Sequence, residues 1–401
     1  MRAAVLALGS RGDTQPCAAL ARELAGRGHE VTLVAAGRYA GLAGPGVSFV
    51  PLGVDPVAML ESEEGQDWLG SGPMGFVRGL RTVVEPLAAK LVAEVDTACA
   101  DADLVLAPAL GAFGRHLHER YGMPYRILQF QPSEPTSEFP NPLVPFASLG
   151  RLGNRASYAL VERAGWTVLG RMVNRLRAGV LGLGPMRGSP FAADRRDRVP
   201  VLCGVSPLVV PRPRDWPDYV HLTGYWRLPG RGGLDELEGF LSAGPPPVFV
   251  GFGSMVPGEP GRVAEEVVAG LRLAGVRGVV QGLPVEASGD VLPVGEVAHD
   301  LLFPRMATVV HHGGAGTTGT GLVAGVPAVV CPFFSDQPFW GRRVAALGAG
   351  PPPLPIGQLS RGALAARLLA VPKYREKSAQ LGRLLRVENG VKMAVDLIER
   401  C

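Results

Sequence analysis

Thr308-Val309-Val310-His311-His312-Gly313-Gly314-Ala315-Gly316-Thr317-Thr318-Gly319-Thr320-Gly321 is the stretch whose reading decides the fold. An apolar strand ends in two histidines, passes a glycine-rich turn and opens a helix. Glycines let main-chain N–H groups approach a ligand, and a helix N-terminus favours negative charge. The stretch is therefore suited to an anion, foremost a phosphate or diphosphate. His312, beside the turn, can add a hydrogen bond to a phosphoryl oxygen.

Two other readings compete. Glycine turns also serve only to pack a helix closely on a strand. Moreover, Gly314-Ala315-Gly316-Thr317-Thr318-Gly319 fits G-x-G-x-x-G, with Asp336 at a spacing that suits a ribose-binding acid. That pattern keeps open an NAD(P)- or flavin-dependent oxidoreductase. Against it, the motif lies late in the chain, outside any first βαβ unit. The preceding His-His and the Gln337-Pro338 after Asp336 also have no part in dinucleotide binding.

The 401 residues suit two domains. Hydrophobic residues make up 47% and charged residues 19%, which excludes a disordered chain. A net charge of +4 is too small to imply nucleic acid. The cysteines, Cys17, Cys99, Cys203, Cys331 and Cys401, are scattered and lack metal-ligand spacing. They read as reduced thiols of a cytoplasmic protein without a zinc site. No apolar run reaches the ~18 residues that span a bilayer. Charge at Arg11 and Asp13 ends the first apolar run, so residues 3–8 read as a buried strand rather than a leader.

Outward from the organising stretch, the pattern is doubly α/β. Residues 3–8 form a continuous apolar run, as in a parallel strand buried on both faces. Gly9-Ser10-Arg11-Gly12-Asp13 make a turn, a helix carries Pro16 in its first turn, and Val31–Ala35 is a second strand. Residues 61–75 read as a mobile connection, with a helix over 76–100. The stretch Gln131–Pro145 contains five prolines and must be a loop. Residues 151–183 read as an amphipathic helix, or two, packed on the domain, with arginines on one side and Trp166 and Met172 on the other. A lid, or a face in weak contact with a membrane surface, is the alternative. Val209 to Pro217 is the expected linker. A second α/β half starts at Val248-Phe249-Val250-Gly251-Phe252-Gly253-Ser254-Met255. The expected domains are 1–211 and 218–379.

These motifs carry a family resemblance. The chain resembles inverting glycosyltransferases that make natural-product glycosides and sterol glucosides in bacteria and fungi. The likeness rests on Gly9 to Asp13, Val248 to Met255, Val220 to Trp226, His311 to Thr318, and Asp336-Gln337-Pro338-Phe339-Trp340. It implies the GT-B fold, two Rossmann-like α/β domains facing across a cleft, with residues about 380–401 crossing back to the first. It further implies that His312 and the backbone of Gly314, Ala315, Gly316 and Thr317 hold the donor diphosphate, bordered by Ser254. Main chain near Val297 would meet the base, and Asp336 and Gln337 the sugar hydroxyls. Asp13 matches the family's base, whereas the residues alone put helix capping ahead of that role. Ser10, Arg11 and Gly12 are expected beside the donor, and Phe130, Gln131, Phe139 and Trp340 beside the acceptor.

The expected reaction is a metal-independent, inverting transfer of a hexose or deoxyhexose from a UDP- or dTDP-sugar to a hydroxyl of an apolar aglycone. No cofactor beyond that co-substrate, no nucleic acid and no membrane insertion are expected, in a monomer or homodimer. Asp101-Ala102-Asp103 fits a D-x-D metal signature but reads as solvation of a helix end and strand start.

Overall fold

The structure is a computed structural model that describes residues 1–55, 58–59, 84–230, 232, 234–253 and 259–400. Ser254, the 61–75 connection and the first part of the 76–100 helix lie outside the described residues.

The first lobe is built on a wholly parallel seven-stranded sheet, ordered β3-β2-β1-β4-β5-β6-β7. Its strands are β1 (Arg2–Ala7), β2 (Glu30–Ala36), β3 (Val47–Leu52), β4 (Leu104–Pro108), β5 (Tyr125–Gln129), β6 (Val201–Cys203) and β7 (Val220–Leu222). Helices α1 (Arg11–Gly26), α2 (Glu85–Cys99), α3 (Phe113–Tyr121), α4 (Gly150–Gly179) and α5 (Pro190–Arg196) complete it. The apolar runs cover both sheet faces by alternation. Val5, Leu33 and Leu106 pack with Leu20 and Leu24 of α1, whereas Leu6, Val34 and Val105 pack with Val95 and Leu117.

The second lobe holds a parallel five-stranded sheet, ordered β10-β9-β8-β11-β12. Its strands are β8 (Val248–Gly251), β9 (Gly278–Gln281), β10 (Val291–Val294), β11 (Thr308–His311) and β12 (Ala328–Val330). Its helices are α6 (Asp235–Ser242), α7 (Pro260–Leu273), α8 (His299–Leu302), α9 (Ala315–Ala324), α10 (Gln337–Ala346), α11 (Arg361–Ala370) and α12 (Arg375–Val387). The last helix, α13 (Gly390–Glu399), leaves this lobe. Its Ala394, Val395 and Ile398 join the first lobe's core, and Asp396 and Glu399 hold Arg27 at 2.6 and 2.8 Å.

Three expectations need correction. The first domain does not stop at 211, because β7 adds to its sheet and the chain crosses only after Leu222. Val209, Val210 and Trp216 are buried, so the Pro-rich segment is packed structure rather than linker. Secondly, α1 starts at Arg11, which places Asp13 in its first turn and Pro16 beyond it. Proline has no N–H, so Gly12's carbonyl lacks the helical donor that residue 16 would otherwise supply. Thirdly, residues 150–179 form one helix whose inner face is largely polar, while Leu152 is 88% and Leu160 69% exposed. The cause lies in the proline-rich loop, whose main chain finds few partners of its own. Asn154 accepts from Leu149 N at 2.8 Å and donates to Ser137 O at 3.0 Å, and Ser157 Oγ accepts from Asn141 N at 2.8 Å.

Among the described residues no helix is long and apolar enough to cross a membrane.

Candidate active site

Both glycine turns lie at the C-terminal edges of their sheets, after β1 and β11, where open α/β sheets bind ligands. Strand pairing fixes this: β1 and β11 each sit between two parallel neighbours. The two following helices point their N-termini at each other. A methyl group on Gly316 of α9 would come 3.5 Å from Gly12 Cα of α1. The cleft is thus bounded by two helix starts, each electropositive.

On the first lobe, Asp13 Oδ2 accepts from Ser10 N at 3.0 Å and from Ser10 Oγ at 3.1 Å. The carboxylate thus caps the start of α1, and Ser10 is the partner that orients it. The carboxyl folds over Gly9, where a methyl would meet Oδ2 at 2.2 Å. Burial raises Asp13's proton affinity above that of an ordinary carboxylate, against the two Ser10 bonds that lower it.

On the second lobe, the first helical bond of α9 runs from Thr318 N to Gly314 O at 2.9 Å. The amides of Ala315, Gly316 and Thr317 are thus the free donors of a helix start. His312 Nε2 lies 2.6 Å from where a methyl on Gly314 would sit, so only glycine leaves the imidazole room there. Gly253, at φ +76°, passes the other side of the ring. Burial pushes His312 down to about 4, so it is neutral near pH 7. Its Nδ1 is buried without a partner among the described residues, and Nε2 is the ring nitrogen nearest the turn at Gly314. His311 instead faces inward, accepting from Gly313 N at 3.1 Å through Nδ1.

Asp336 and Gln337 start α10 after Ser335, held at φ +59°. Trp340 Nε1 donates to Asp336 Oδ2 at 2.8 Å, and Gln337 Oε1 accepts from Phe333 N at 2.8 Å. Burial raises Asp336's proton affinity, and the charge of Asp13 adds to it across the cleft. The acceptor role expected for Trp340 does not fit its position: the side chain is fully buried and supports Asp336 instead. Phe130 packs edge-on against Trp226 at 5.5 Å and Phe139 against Phe339 at 5.5 Å, both half-buried, as is Gln131.

Some residues that shape the cleft escaped the sequence reading. Gln281, ending β9, donates to Gly295 O at 2.8 Å and meets His299 Nε2 at 2.9 Å. It thereby fixes the loop that carries half-buried Val297. Arg11 reaches across the cleft to Glu296 at 2.9 Å. A polar residue closing an apolar strand, as in Gly278-Val279-Val280-Gln281, was the available signal for the first; nothing local marked the second. Asp103 is bound by Arg2 at 2.8 Å beside the N-terminal end of β4, the sheet edge opposite Asp13. That position does not favour the D-x-D reading.

Residues 3–140 match the glycosyltransferase family 28 N-terminal domain. Residues 255–386 match the erythromycin biosynthesis protein CIII-like C-terminal domain. The whole chain is 35% identical to an Arabidopsis thaliana sterol 3-beta-glucosyltransferase, covering 68% of it. It is also 35% identical to the O-mycaminosyltylonolide 6-deoxyallosyltransferase of Streptomyces fradiae, covering 97% of that protein. A second Arabidopsis sterol glucosyltransferase is spanned to 64% and a Cryptococcus neoformans one to 27%, so part of those relatives has no counterpart here. Among solved structures, the kitacinnamycin glycotransferase superposes with a TM-score of 0.68 at 22% identity, over 100% of this chain and 98% of that one. Glycosyltransferase VinC in complex with dTDP gives 0.64 at 18% identity, over 100% and 99%. Both likenesses show the GT-B fold. The oxidoreductase reading of Gly314-x-Gly316-x-x-Gly319 finds no support, since each relative named is a sugar transferase.

Proposed function

This chain belongs to the glycosyltransferases, and from that premise we propose that it moves a hexose or deoxyhexose from a UDP- or dTDP-sugar to a hydroxyl of an apolar aglycone with inversion and without a metal ion. The observation that carries this reading is the meeting of the two helix starts, with Asp13 on one and the free amides of Ala315 to Thr317 on the other.

In this reading Asp13 accepts the proton of the acceptor hydroxyl. The oxygen's electron pair forms the new bond to the anomeric carbon, while the bond from that carbon to the diphosphate oxygen breaks. Its electrons leave with the nucleoside diphosphate. Attack opposite the leaving group inverts the centre in one displacement. Charge gathers on the diphosphate, where preorganised amides and the neutral His312 N–H stabilise it without rearrangement. That arrangement takes the place a metal would have. A raised proton affinity suits Asp13 to a base working near neutral pH. Asp336 and Gln337 hold the sugar hydroxyls, and the loop at Val297, fixed by Gln281, meets the nucleobase. Ser10, Arg11 and Gly12 line the donor from the first lobe, and Phe130, Gln131 and Phe139 border the acceptor.

The test is incubation with UDP- and dTDP-sugars and a panel of sterol and macrolide aglycones, reading product mass and anomeric configuration. Transfer with inversion is expected. A product that retains the donor configuration overturns the single displacement. Donor binding with no transfer to any acceptor favours a binding module without catalysis.

A further inference from the structure

The two residues assigned to the sugar hydroxyls, Asp336 and Gln337, stand at the start of α10, and the next turns of that helix grip the first lobe. Phe339 packs on Phe139 with ring centroids 5.5 Å apart. Arg343 donates to Val209 O at 2.9 and 2.6 Å. Arg342 Nη1 donates to Pro145 O at 2.9 Å. One rigid helix therefore links the sugar end of the site to the proline-rich loop. The step from Asp336 to Arg342 rises roughly 9 Å along its axis.

The contact of Arg342 falls where the loop has least else to hold it. The flanks of the loop are tied to α4, through Asn154 to Ser137 O and Leu149 N and through Ser157 to Asn141 N. The apex, residues 142–148, differs. Leu143 N and Val144 N bond only to Asn141, at 3.0 and 2.8 Å, and Ser148 Oγ accepts from Gly150 N. Pro142 and Pro145 have no N–H to offer. Among the described residues, the bond from Arg342 is the one hydrogen bond that ties this apex to anything beyond the loop and α4. The apex also exposes Leu143 and Phe146, apolar surface that an apolar aglycone can cover.

Arg342 is half-buried and has no carboxylate partner among the described residues. Burial is the single influence on its proton affinity and lowers it. No acid competes for the guanidinium, and its charge strengthens the bond to the carbonyl.

We propose that Arg342 is a positioning residue for the acceptor: by holding Pro145 O it sets the apex of the proline-rich loop at a fixed distance from the sugar on Asp336 and Gln337. This rests on the donor and acceptor assignments above. The guanidinium touches no reacting atom and acts through the loop. An aglycone lying against the apex then presents its hydroxyl between Asp13 and the anomeric carbon.

The experiment compares the full chain with Arg342→Ala, Arg342→Gln and Arg342→Lys. Without substrate, hydrogen exchange read by mass spectrometry should be faster at Leu143, Val144 and Phe146 in Arg342→Ala and Arg342→Gln. It should stay near the parent in Arg342→Lys, whose ammonium can serve one carbonyl. Calorimetry should show parent-like affinity for UDP and dTDP in all three. Steady-state kinetics use those sterols and macrolide aglycones of the panel that the parent glycosylates. The acceptor KM should rise by about three- to tenfold in Arg342→Ala, the size of one lost hydrogen bond, with kcat and the donor KM unchanged and Arg342→Lys restoring the parent value. Where Arg342→Ala does not fold, Arg342→Gln carries the same readings. Faster exchange with a parent-like acceptor KM means that the loop is held but not used, and overturns the inference. Unchanged exchange overturns it as well. A loss of nucleotide affinity that matches the rise in acceptor KM assigns Arg342 to the donor and also overturns it. A parent that glycosylates no member of the panel overturns the proposed function and this inference with it, a failure seen before any variant is made.

Discussion

Gly316 at the start of α9 and Gly12 at the start of α1 lie so close that a methyl on the first would sit 3.7 Å from the carbonyl oxygen of the second. Neither glycine is needed for an unusual backbone angle, since neither has a positive φ. Their common property is the missing side chain, which lets two helix starts approach across the cleft. The electrostatics of the site follow: donors on one side, a carboxylate on the other, and little room between.

Asp13→Asn should lower kcat by about 10²–10⁴-fold, the usual contribution of a placed general base. Asparagine can still accept from Ser10 N, so the start of α1 should survive. Steady-state kinetics with calorimetric nucleotide binding check this. Near-normal turnover in a folded variant would remove Asp13 from the reaction.

The pH profile tests the environment of the same group. Turnover needs ionised Asp13, so kcat/KM should fall as pH drops through its pKa. Because burial raises that pKa, the acidic limb should lie above the ordinary carboxylate range. Ser10→Ala removes one of the bonds that favour the ionised form and should move the limb to higher pH. A limb that moves down, or stays, contradicts the arrangement.

His312→Ala should weaken nucleoside diphosphate binding by about tenfold or more, one charge-assisted hydrogen bond. With its pKa pushed down to about 4, His312 stays neutral as pH rises through the range in which a free imidazole titrates. Affinity of the parent for the nucleotide-sugar, whose doubly esterified diphosphate has no proton to lose in this range, should therefore show no inflection near about pH 6.5. A clear step there, absent from His312→Ala, would mean that the charged imidazole binds the ligand.

EDTA should leave the transfer rate intact, and added magnesium should not raise it, if the helix start and His312 alone stabilise the leaving group. Strict dependence on a divalent ion, measured in an initial-rate assay, would overturn that division of labour.

Gly390→Ala should destabilise the fold by about 1–3 kcal/mol, because its new methyl would overlap the main chain of Gly224, which has no flexible end to yield. Thermal or urea unfolding reads this directly. A variant as stable as the parent would show that these two glycines pack more loosely than the contact implies.

Much of the site was legible because its signals are local. The runs Ala3–Leu8 and Thr308–Val310, each followed by a glycine turn, specify strands buried on both faces and leading into helix starts. Less legible was the division between lobes. Val209 to Pro217 has a linker's composition, but Val209, Val210 and Trp216 are buried and β7 still pairs with β6. Helix α4 misled for a related reason: Asn154 and Ser157 face inward to satisfy a distant proline-rich loop, a demand that a helical wheel does not register.

By itself the sequence determined two parallel α/β units, the glycine turns at their strand ends, and the residue types available for anion binding and base chemistry. These follow from periodicity and backbone freedom over a few residues. Only the tertiary structure decided that Trp340 is fully buried under Asp336, that Ser10 orients Asp13, and that Gln281 fixes the Val297 loop. It also decided that Gly12 meets Gly316 and Gly224 meets Gly390. The physical reason is range: the lobe contacts join residues far apart in the chain, and the approach of two packed bodies depends on the shape of both, which no short window of sequence contains.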